Sequence, residues 1–401
     1  MSNTGPPKVL EVLKDIVKSD IDNFEVIVHE GNKKGEGFLG EIVFITMREK
    51  NSDQNLNFAV KQAFDKKTIR DAHQIRKVYL NEIYFYTETW PILERFQERI
   101  SPKYRFQKIP KCFATVSEEF SEKLVLENLK YQGFEVYDKK KPLDKEHFEL
   151  IFKEYGKFHA VSFAYKALHP DSYARLVSGT TNLFLSMATR DYFEKGNIYT
   201  HETCLKGLVP GTDDAVIERY KLYPEICNKL FLESVDCATK YAVIVHGDCW
   251  SNNMMFKYDE TRKVTDVRFL DFQMSTEGSP CCDLSYCIYS GAPKEVLNNL
   301  DYYLQGYHDI LSETLRQFEC DSNKIYPLRE LKADWKRYCK MGFTMALFIW
   351  RLKTTYEGEI KDLNDMIELG EEELKSSGYD EEEYKRITRD LILHMHENGF
   401  L

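Results

Sequence analysis

The chain has 401 residues, 43% of them apolar and 30% charged, with a formal net charge of −10. That length exceeds one small core and suggests about two or three lobes, while the acidic balance argues against a nucleic-acid partner, since neutralising phosphates needs a basic surface. Ten cysteines without regular spacing and no secretory apolar stretch after Met1 point to a reducing, cytoplasmic setting, and no run reaches the roughly 18 apolar residues of a membrane helix.

In chain order, residues 8 to 20 space Val9, Leu10, Leu13, Ile16 and Val17 as one face of a helix. "FEVIVHE" and "EIVFITMRE" read as strands on either side of "GNKKGEGFLG". A third strand, "LNFAVKQA", leads through polar residues into a predicted helix over 69–89, and "KLVLENL" at 123–129 reads as a short buried strand. Near 129–140 the glycine, proline and charge of "YQGFEVYDKKKPLD" mark a connector. Beyond it the pattern is mostly helical, over 144–165, 179–193, 213–239 and much of 294–370. One late hairpin interrupts it, 254–258 against 264–270 around "DETRK". The expected class is therefore α+β, a strand-rich first third before a helix-rich remainder.

The hairpin gathers chemistry. Asn253 stands just before its first strand, Asp271 just after its second, and Asp248 five residues ahead of Asn253 in "VIVHGDCWSNNMMF". Antiparallel pairing brings those ends side by side. Two oxygen donors so placed suit Mg2+, which takes one or two carboxylates plus phosphate oxygens. A carboxylate left off the metal can orient a hydroxyl and accept its proton. H-x-D with Asn five positions after the Asp, then "DF" behind the next hairpin, is the catalytic-loop and metal pattern of kinases. The plainer reading makes Asp248 and Asn253 turn formers and Asp271 a strand-end cap. For His246, bracing the loop by hydrogen bonds is preferred to direct chemistry.

A phosphotransferase needs a nucleotide clamp, and the first third offers candidates. "GEGFLG" sets Gly35, Gly37 and Gly40 in a G-x-G-x-x-G loop. A dinucleotide fold would continue into a helix, whereas "EIVFITM" is β-branched, which fits the kinase form lying over ATP phosphates or an ordinary hairpin turn. "FAVK" ends a strand where kinases carry V-A-I-K, so Lys61 is expected to anchor phosphates. Glu82 is its expected partner, with Glu88 as rival and a solvated charge as the alternative. Backbone groups at Glu127 and Leu129 are placed to bond the adenine.

Protein kinases carry D-F-G and A-P-E, but here Gln273 follows "DF" and no A-P-E occurs. The chain resembles small-molecule kinases of the aminoglycoside phosphotransferase and choline kinase group, and within it the ecdysteroid kinase-like (CHK kinase-like) family. "VIVHGDCWSNNMMF", "VRFLDFQ", "SPCCDLSY", "LVLENL" and "YGKFHAVSFA" carry the resemblance, which extends from about 24 to 350. It implies a two-lobed protein-kinase-like fold, with residues 1–128 the small lobe and 129–401 the large one. It also implies ATP- and Mg2+-dependent phosphorylation of a hydroxyl on an ecdysteroid or another secondary metabolite or xenobiotic. Apart from the resemblance, a monomer with no membrane partner is expected. In those terms Asp248 is the base, Asn253 and Asp271 the metal ligands, Lys61 the phosphate anchor and Glu82 its pair. Asn128 stands where the family often has Asp, and Asp283 is expected to hold the catalytic loop.

The resemblance places the acceptor pocket near 160–200 and 338–355, although Met341, Phe343, Leu347 and Trp350 also read as a packed core stripe. Cys281, Cys282 and Cys287 lack zinc-site spacing, and the acidic tail over 370–398 reads as a solvated face. Two other functions stay open: a choline or ethanolamine kinase, which needs a cage for an ammonium, and a pseudokinase that binds without turnover.

Overall fold

The strand β1 (Phe24–His29) opens an antiparallel sheet that holds the strands described in the first third. With β2 (Gly40–Glu49), β3 (Asn55–Ala63), β4 (Cys112–Val116) and β5 (Lys123–Glu127), it forms a five-stranded sheet in the order β1-β2-β3-β5-β4. This computed structural model describes residues 12–14, 16, 23–29, 31, 40–50, 55–237, 239–356, 359 and 378–401. Gly35 and Gly37, and most of the helix read over 8–20, lie outside the described residues. Side chains alternate along a strand, so Ile45, Met47, Phe58, Val60 and Val125 share one face and pack with Leu13. Lys61 must then face the other way. It pairs in register with Leu124, a residue of the larger core on that opposite side. Gly40 allows close approach, because a Cβ there would collide with the Tyr79 hydroxyl and the Gln62 carbonyl oxygen.

The single helix expected over 69–89 is instead several pieces. A short helix (Lys67–Ala72) breaks at Gln74, whose φ of 51° is left-handed, before α1 (Ile75–Tyr84) begins. A π-helical turn, Phe85–Thr89, joins α1 to α2 (Trp90–Gln97), with Pro91 in the first turn of α2. No glycine marks the break at Gln74, so the sequence pattern alone runs straight through it.

From β6 (Glu135–Val136) onward the chain is mainly helical. Asp144 caps α3 (Lys145–Leu168) by accepting from the His147 amide at 3.1 Å. The predicted helix over 179–193 divides into Leu183–Ala188 and α4 (Asp191–Leu205), and the one over 213–239 into Asp214–Tyr220 and α5 (Tyr223–Val235). At the centre, α6 (Pro280–Gly291) is buried along its whole length. The long helix α8 (Leu328–Thr354) packs on it, with α7 (Leu300–Gln317) against α3. Gly342 permits the α6–α8 approach, since a Cβ there would strike Ser285 and the Tyr286 amide. The tail reading needs correction, because α9 (Glu381–Glu397) buries Tyr384, Leu391, Ile392 and Met395 on one side. Its charges occupy only the other face.

Two small sheets complete the core of the site. β8 (Met254–Tyr258) and β9 (Val264–Phe269) form the expected hairpin, with Met254 opposite Phe269, and β6 adds to β8. β7 (Val243–Val245) pairs with β10 (Thr276–Gly278), enclosing the hairpin between them in sequence. An N-terminal antiparallel sheet followed by a mainly helical part is a protein-kinase-like fold. Among the described residues no helix is long and apolar enough to cross a membrane.

Candidate active site

Lys61 reaches out of the sheet to two carboxylates at once. Its Nζ donates to Glu82 Oε2 on α1 at 2.6 Å and to Asp271 Oδ1 behind the hairpin at 2.7 Å. Glu88, the rival partner, is exposed on the π-helical turn. Burial alone would lower the Lys61 ammonium, but Asp271 and Glu82 outweigh it and hold the lysine above its ordinary range. The same burial pushes the Glu82 carboxyl up, with Lys61 pulling it back. A proton on the shared contact therefore stays with the lysine.

Asp271 sits at φ 67°, a left-handed conformation that aspartate tolerates better than most residues. The short helical turn Phe272–Met274 follows. Phe272 stacks on Phe85 of the π-helical turn, centroids 4.0 Å apart and planes 6° from parallel. Gln273 takes the place of the kinase glycine; it is buried, and its Oε1 lies 3.4 Å from Lys61 Nζ.

The loop that carries Asp248 is held from below. Gly247 has a φ of 88°, and a Cβ there would collide with the Met274 carbonyl. Asp283 on α6 accepts from the His246 amide at 2.7 Å and the Gly247 amide at 2.8 Å. His159 Nε2 adds a third contact to the same carboxylate at 3.1 Å, while its Nδ1 meets Tyr307 Oη at 2.9 Å. Burial would raise Asp283, yet His159, with His246 and Cys249, holds it below the usual carboxylate range. His246 Nδ1 accepts from the Asp248 amide at 3.1 Å, so Nε2 carries the proton and donates to the Leu270 carbonyl at 2.9 Å. Burial lowers its pKa, which keeps it neutral. His246 thus braces the loop and faces Phe272, 4.4 Å between ring centres.

Asp248 projects from this braced loop. Asn253 Nδ2 donates to its Oδ2 at 2.7 Å and to its backbone carbonyl at 3.0 Å. With its nitrogen so committed, Asn253 presents its side-chain oxygen elsewhere. Burial, and then the charge of Asp271, pushes the Asp248 carboxyl up to about 7, against hydrogen bonds from Tyr286 and Asn253.

The strap after β5 is partly self-satisfied. The Glu127 amide donates to Lys111 O at 2.9 Å and the Asn128 amide to Asn57 O at 3.1 Å. The Asn128 side chain caps the next turn by accepting from the Lys130 amide at 3.2 Å, and the Leu129 carbonyl accepts from Phe134. Met341, Phe343, Leu347 and Trp350 are all buried, and Trp350 Nε1 donates to Tyr289 O at 2.9 Å. They form core, as the stripe pattern allowed.

Sequence reasoning missed three contributors. Tyr286 lies one helical turn beyond Asp283 on α6 and hydrogen-bonds Asp248. Lys353, near the end of α8, donates to Ser251 Oγ in the loop at 3.3 Å and to Ser290 O at 2.7 Å. Asn81 precedes Glu82 and bonds the segment after Asp271. The "DLSY" string pointed toward the first; for the other two a lone polar residue in a helix carries no periodic signal.

Among the described residues no group of three or more His, Cys, Asp or Glu could hold a metal ion. Asn253 and Asp271 nevertheless offer two hard oxygen donors, the kind of pair Mg2+ uses when phosphate oxygens complete its shell.

Residues 34–320 match the model of the ecdysteroid kinase-like family, EcKL. No curated protein matches the chain. Among solved structures, choline kinase from Cryptosporidium parvum Iowa II is 11% identical with a TM-score of 0.43, covering 98% of this chain and 98% of that one. The GDP and kanamycin complex of APH(2")-IIia is 12% identical with a TM-score of 0.38, covering 85% and 98% respectively. The GDP complex of wild-type aminoglycoside 2'-phosphotransferase-IIIa is 13% identical with a TM-score of 0.38, covering 86% and 98%. The family match, not these distant likenesses, carries the assignment. The chain belongs to the ecdysteroid kinase-like family, and with it to the small-molecule kinases of the aminoglycoside phosphotransferase and choline kinase type.

Proposed function

We propose that this chain transfers the γ-phosphoryl group of ATP, taken as its Mg2+ complex, to a hydroxyl of an ecdysteroid or another hydroxylated secondary metabolite or xenobiotic. One observation supports this above the rest. The Asp248 carboxyl, pushed up to about 7, is steered by Asn253 at 2.7 Å within a site where Lys61 already spans Glu82 and Asp271. Residues 1–128 serve as the nucleotide-clamping lobe in this reading, with Gly35, Gly37 and Gly40 over the phosphates and the strap at Glu127 and Leu129 beside the base. Residues 129–401 supply the chemistry and the acceptor site, and the enzyme works in the cytoplasm.

Each side chain then has a task. Lys61 binds phosphate oxygens as a charged ammonium, and Glu82 keeps it aimed. Asp271 and the side-chain oxygen of Asn253 would hold the cation, and Mg2+ bound there would supply positive charge against the charge that develops on the phosphates during transfer. Asp248 accepts a hydrogen bond from the acceptor hydroxyl and takes its proton as the new O–P bond forms. The bond from the γ-phosphorus to the bridging oxygen breaks, and ADP leaves. A base with a pKa near the working pH suits proton transfer.

Incubating the protein with labelled ATP, Mg2+ and panels of hydroxylated steroids, plant phenolics and choline tests the reading. Label should appear on a steroid or phenolic, and Asp248→Ala should abolish it. Transfer to choline alone would replace the acceptor class, and nucleotide binding without transfer to any panel member would favour the pseudokinase reading.

A further inference from the structure

We propose that Asn81 is a positioning residue for the nucleotide anchor, fixing α1 and with it the Lys61–Glu82 pair against the metal-side turn and the helical lobe. The proposal rests on the nucleotide reading of the site given above. Asn81 is 4% exposed, and its carboxamide is fully used. Nδ2 donates to Gln273 O at 2.9 Å and to Ser275 O at 2.8 Å, and Oδ1 accepts from the Thr181 amide at 2.8 Å. Three chain segments meet at that one side chain.

The position explains why the group matters. Glu82, the partner of Lys61, is the next residue on α1. The two carbonyls that Asn81 holds flank Met274, and the Met274 carbonyl itself rests on Gly247, next to Asp248. Thr181 lies between two helices of the larger lobe, Pro170–Ser178 and Leu183–Ala188, and each of them makes one more contact, with α1 or with Gln74 just before it. Gln74 Oε1 accepts from Ser186 Oγ at 3.1 Å, and Tyr84 Oη donates to Leu176 O at 3.0 Å. Gly179 makes room for the Tyr84 ring, since a Cβ there would collide with it. Of the residue types, a carboxamide of this length supplies two N–H donors and one acceptor together. Aspartate keeps the acceptor and loses the donors; leucine keeps the shape and loses both.

Without the clamp, α1 can swing and take Glu82 from Lys61, so the ammonium is no longer held where phosphate oxygens would meet it. A purely structural role predicts something different, namely fewer folded molecules that each bind normally. Titration calorimetry separates the two, because the first changes Kd and the second changes stoichiometry. The probe is AMP-PNP with excess Mg2+, added to the full chain and to Asn81→Asp and Asn81→Leu. Wild type should bind, and Asn81→Asp should bind at least tenfold more weakly at unchanged stoichiometry; Asn81→Leu, where it folds, should do the same. Binding by wild type together with an unchanged Kd in Asn81→Asp overturns the role of Asn81 and leaves the nucleotide reading intact. A wild type that fails to bind overturns both.

Discussion

Lys61 Nζ lies 2.7 Å from Asp271 Oδ1, although 210 positions separate them in the chain. The lysine side chain is 12% exposed and that of Glu82 only 1%, so the triad is an ionic bridge between the sheet, α1 and the hairpin end. Removing the cation leaves two carboxylates facing each other in a poorly solvated place. Lys61→Met should abolish transfer and cost about 3 kcal/mol of stability, in line with an orphaned buried charge. Adding Glu82→Gln should return most of the stability and none of the activity. Denaturant unfolding of both variants checks the first part and a transfer assay the second. Lys61→Arg should not rescue, because a planar fork cannot replace a point charge held between two carboxylates at 2.6 and 2.7 Å.

Asp248 links activity and stability to pH in opposite directions. Its carboxyl is raised from 3.8 to about 7 in the folded chain. The native state therefore binds that proton more tightly than the unfolded state, and its contribution to stability falls as pH rises through that window. In the proposed reaction Asp248 is the base and works only when ionised, so kcat/KM should climb tenfold per pH unit below about 7 and level off above it. Asp248→Asn should be inactive yet more stable than wild type at pH 8, by about 2 kcal/mol, with the gap narrowing as pH falls below about 7 and closing near the ordinary value of 3.8. Thermal melts of both proteins across that range, beside a pH–rate profile, decide it; an unchanged gap would remove the burial argument.

Asp283 shows the reverse sign. Its folded pKa is held below the ordinary carboxylate value, so its stabilising effect is present above the unfolded pKa and lost as pH falls through the folded one. Asp283→Ala leaves the His246 and Gly247 amides and His159 without their acceptor. Each unpaired buried donor costs on the order of 1–3 kcal/mol, so a loss of about 3 kcal/mol at pH 7 is expected. The deficit should narrow in acid, where wild type also loses the charge. Equilibrium unfolding at pH 7 and pH 3 measures it.

The parts of this site that could be read in advance are those where chemistry coincides with a local pattern. Lys61 follows the apolar run "FAV" within β3, and alternation alone turns it away from the face of Phe58 and Val60. Asp248, Asn253 and Asp271 come together because one hairpin joins them, with a register set by Met254 opposite Phe269. The breaks around α1 were not legible, since Gln74 adopts φ 51° with no glycine to announce it, and Phe85 in the π-helical turn stacks on Phe272, a partner far away in the chain. β4 was missed for a related reason: "CFATV" is short, and only its pairing with β5 makes it a strand. Asn81 and Lys353 were invisible because their partners lie more than sixty positions away. Long-range polar pairing leaves no period in a sequence.

Lys353 is a buried basic side chain outside the proposed chemistry. It is 3% exposed, its hydrogen bonds go to the neutral oxygens of Ser251 and Ser290, and its Nζ lies 4.6 Å from the Trp350 ring centre. Burial lowers its pKa from 10.5 to about 7. Between those values the unfolded chain binds more protons than the native one, so this residue makes stability rise with pH over the window. Lys353→Met keeps the length of the stem and removes the ammonium, and swaps of this kind in buried polar sites are often stabilising. The variant should gain roughly 2 kcal/mol over wild type at pH 7, and the gain should shrink toward pH 10 and vanish above the ordinary value of 10.5, where Lys353 is neutral in the unfolded chain as well. Unfolding curves at the two pH values test this directly. A variant less stable than wild type at pH 7 would mean that the bonds to Ser251 and Ser290 outweigh desolvation, and that the ammonium holds the catalytic loop in place.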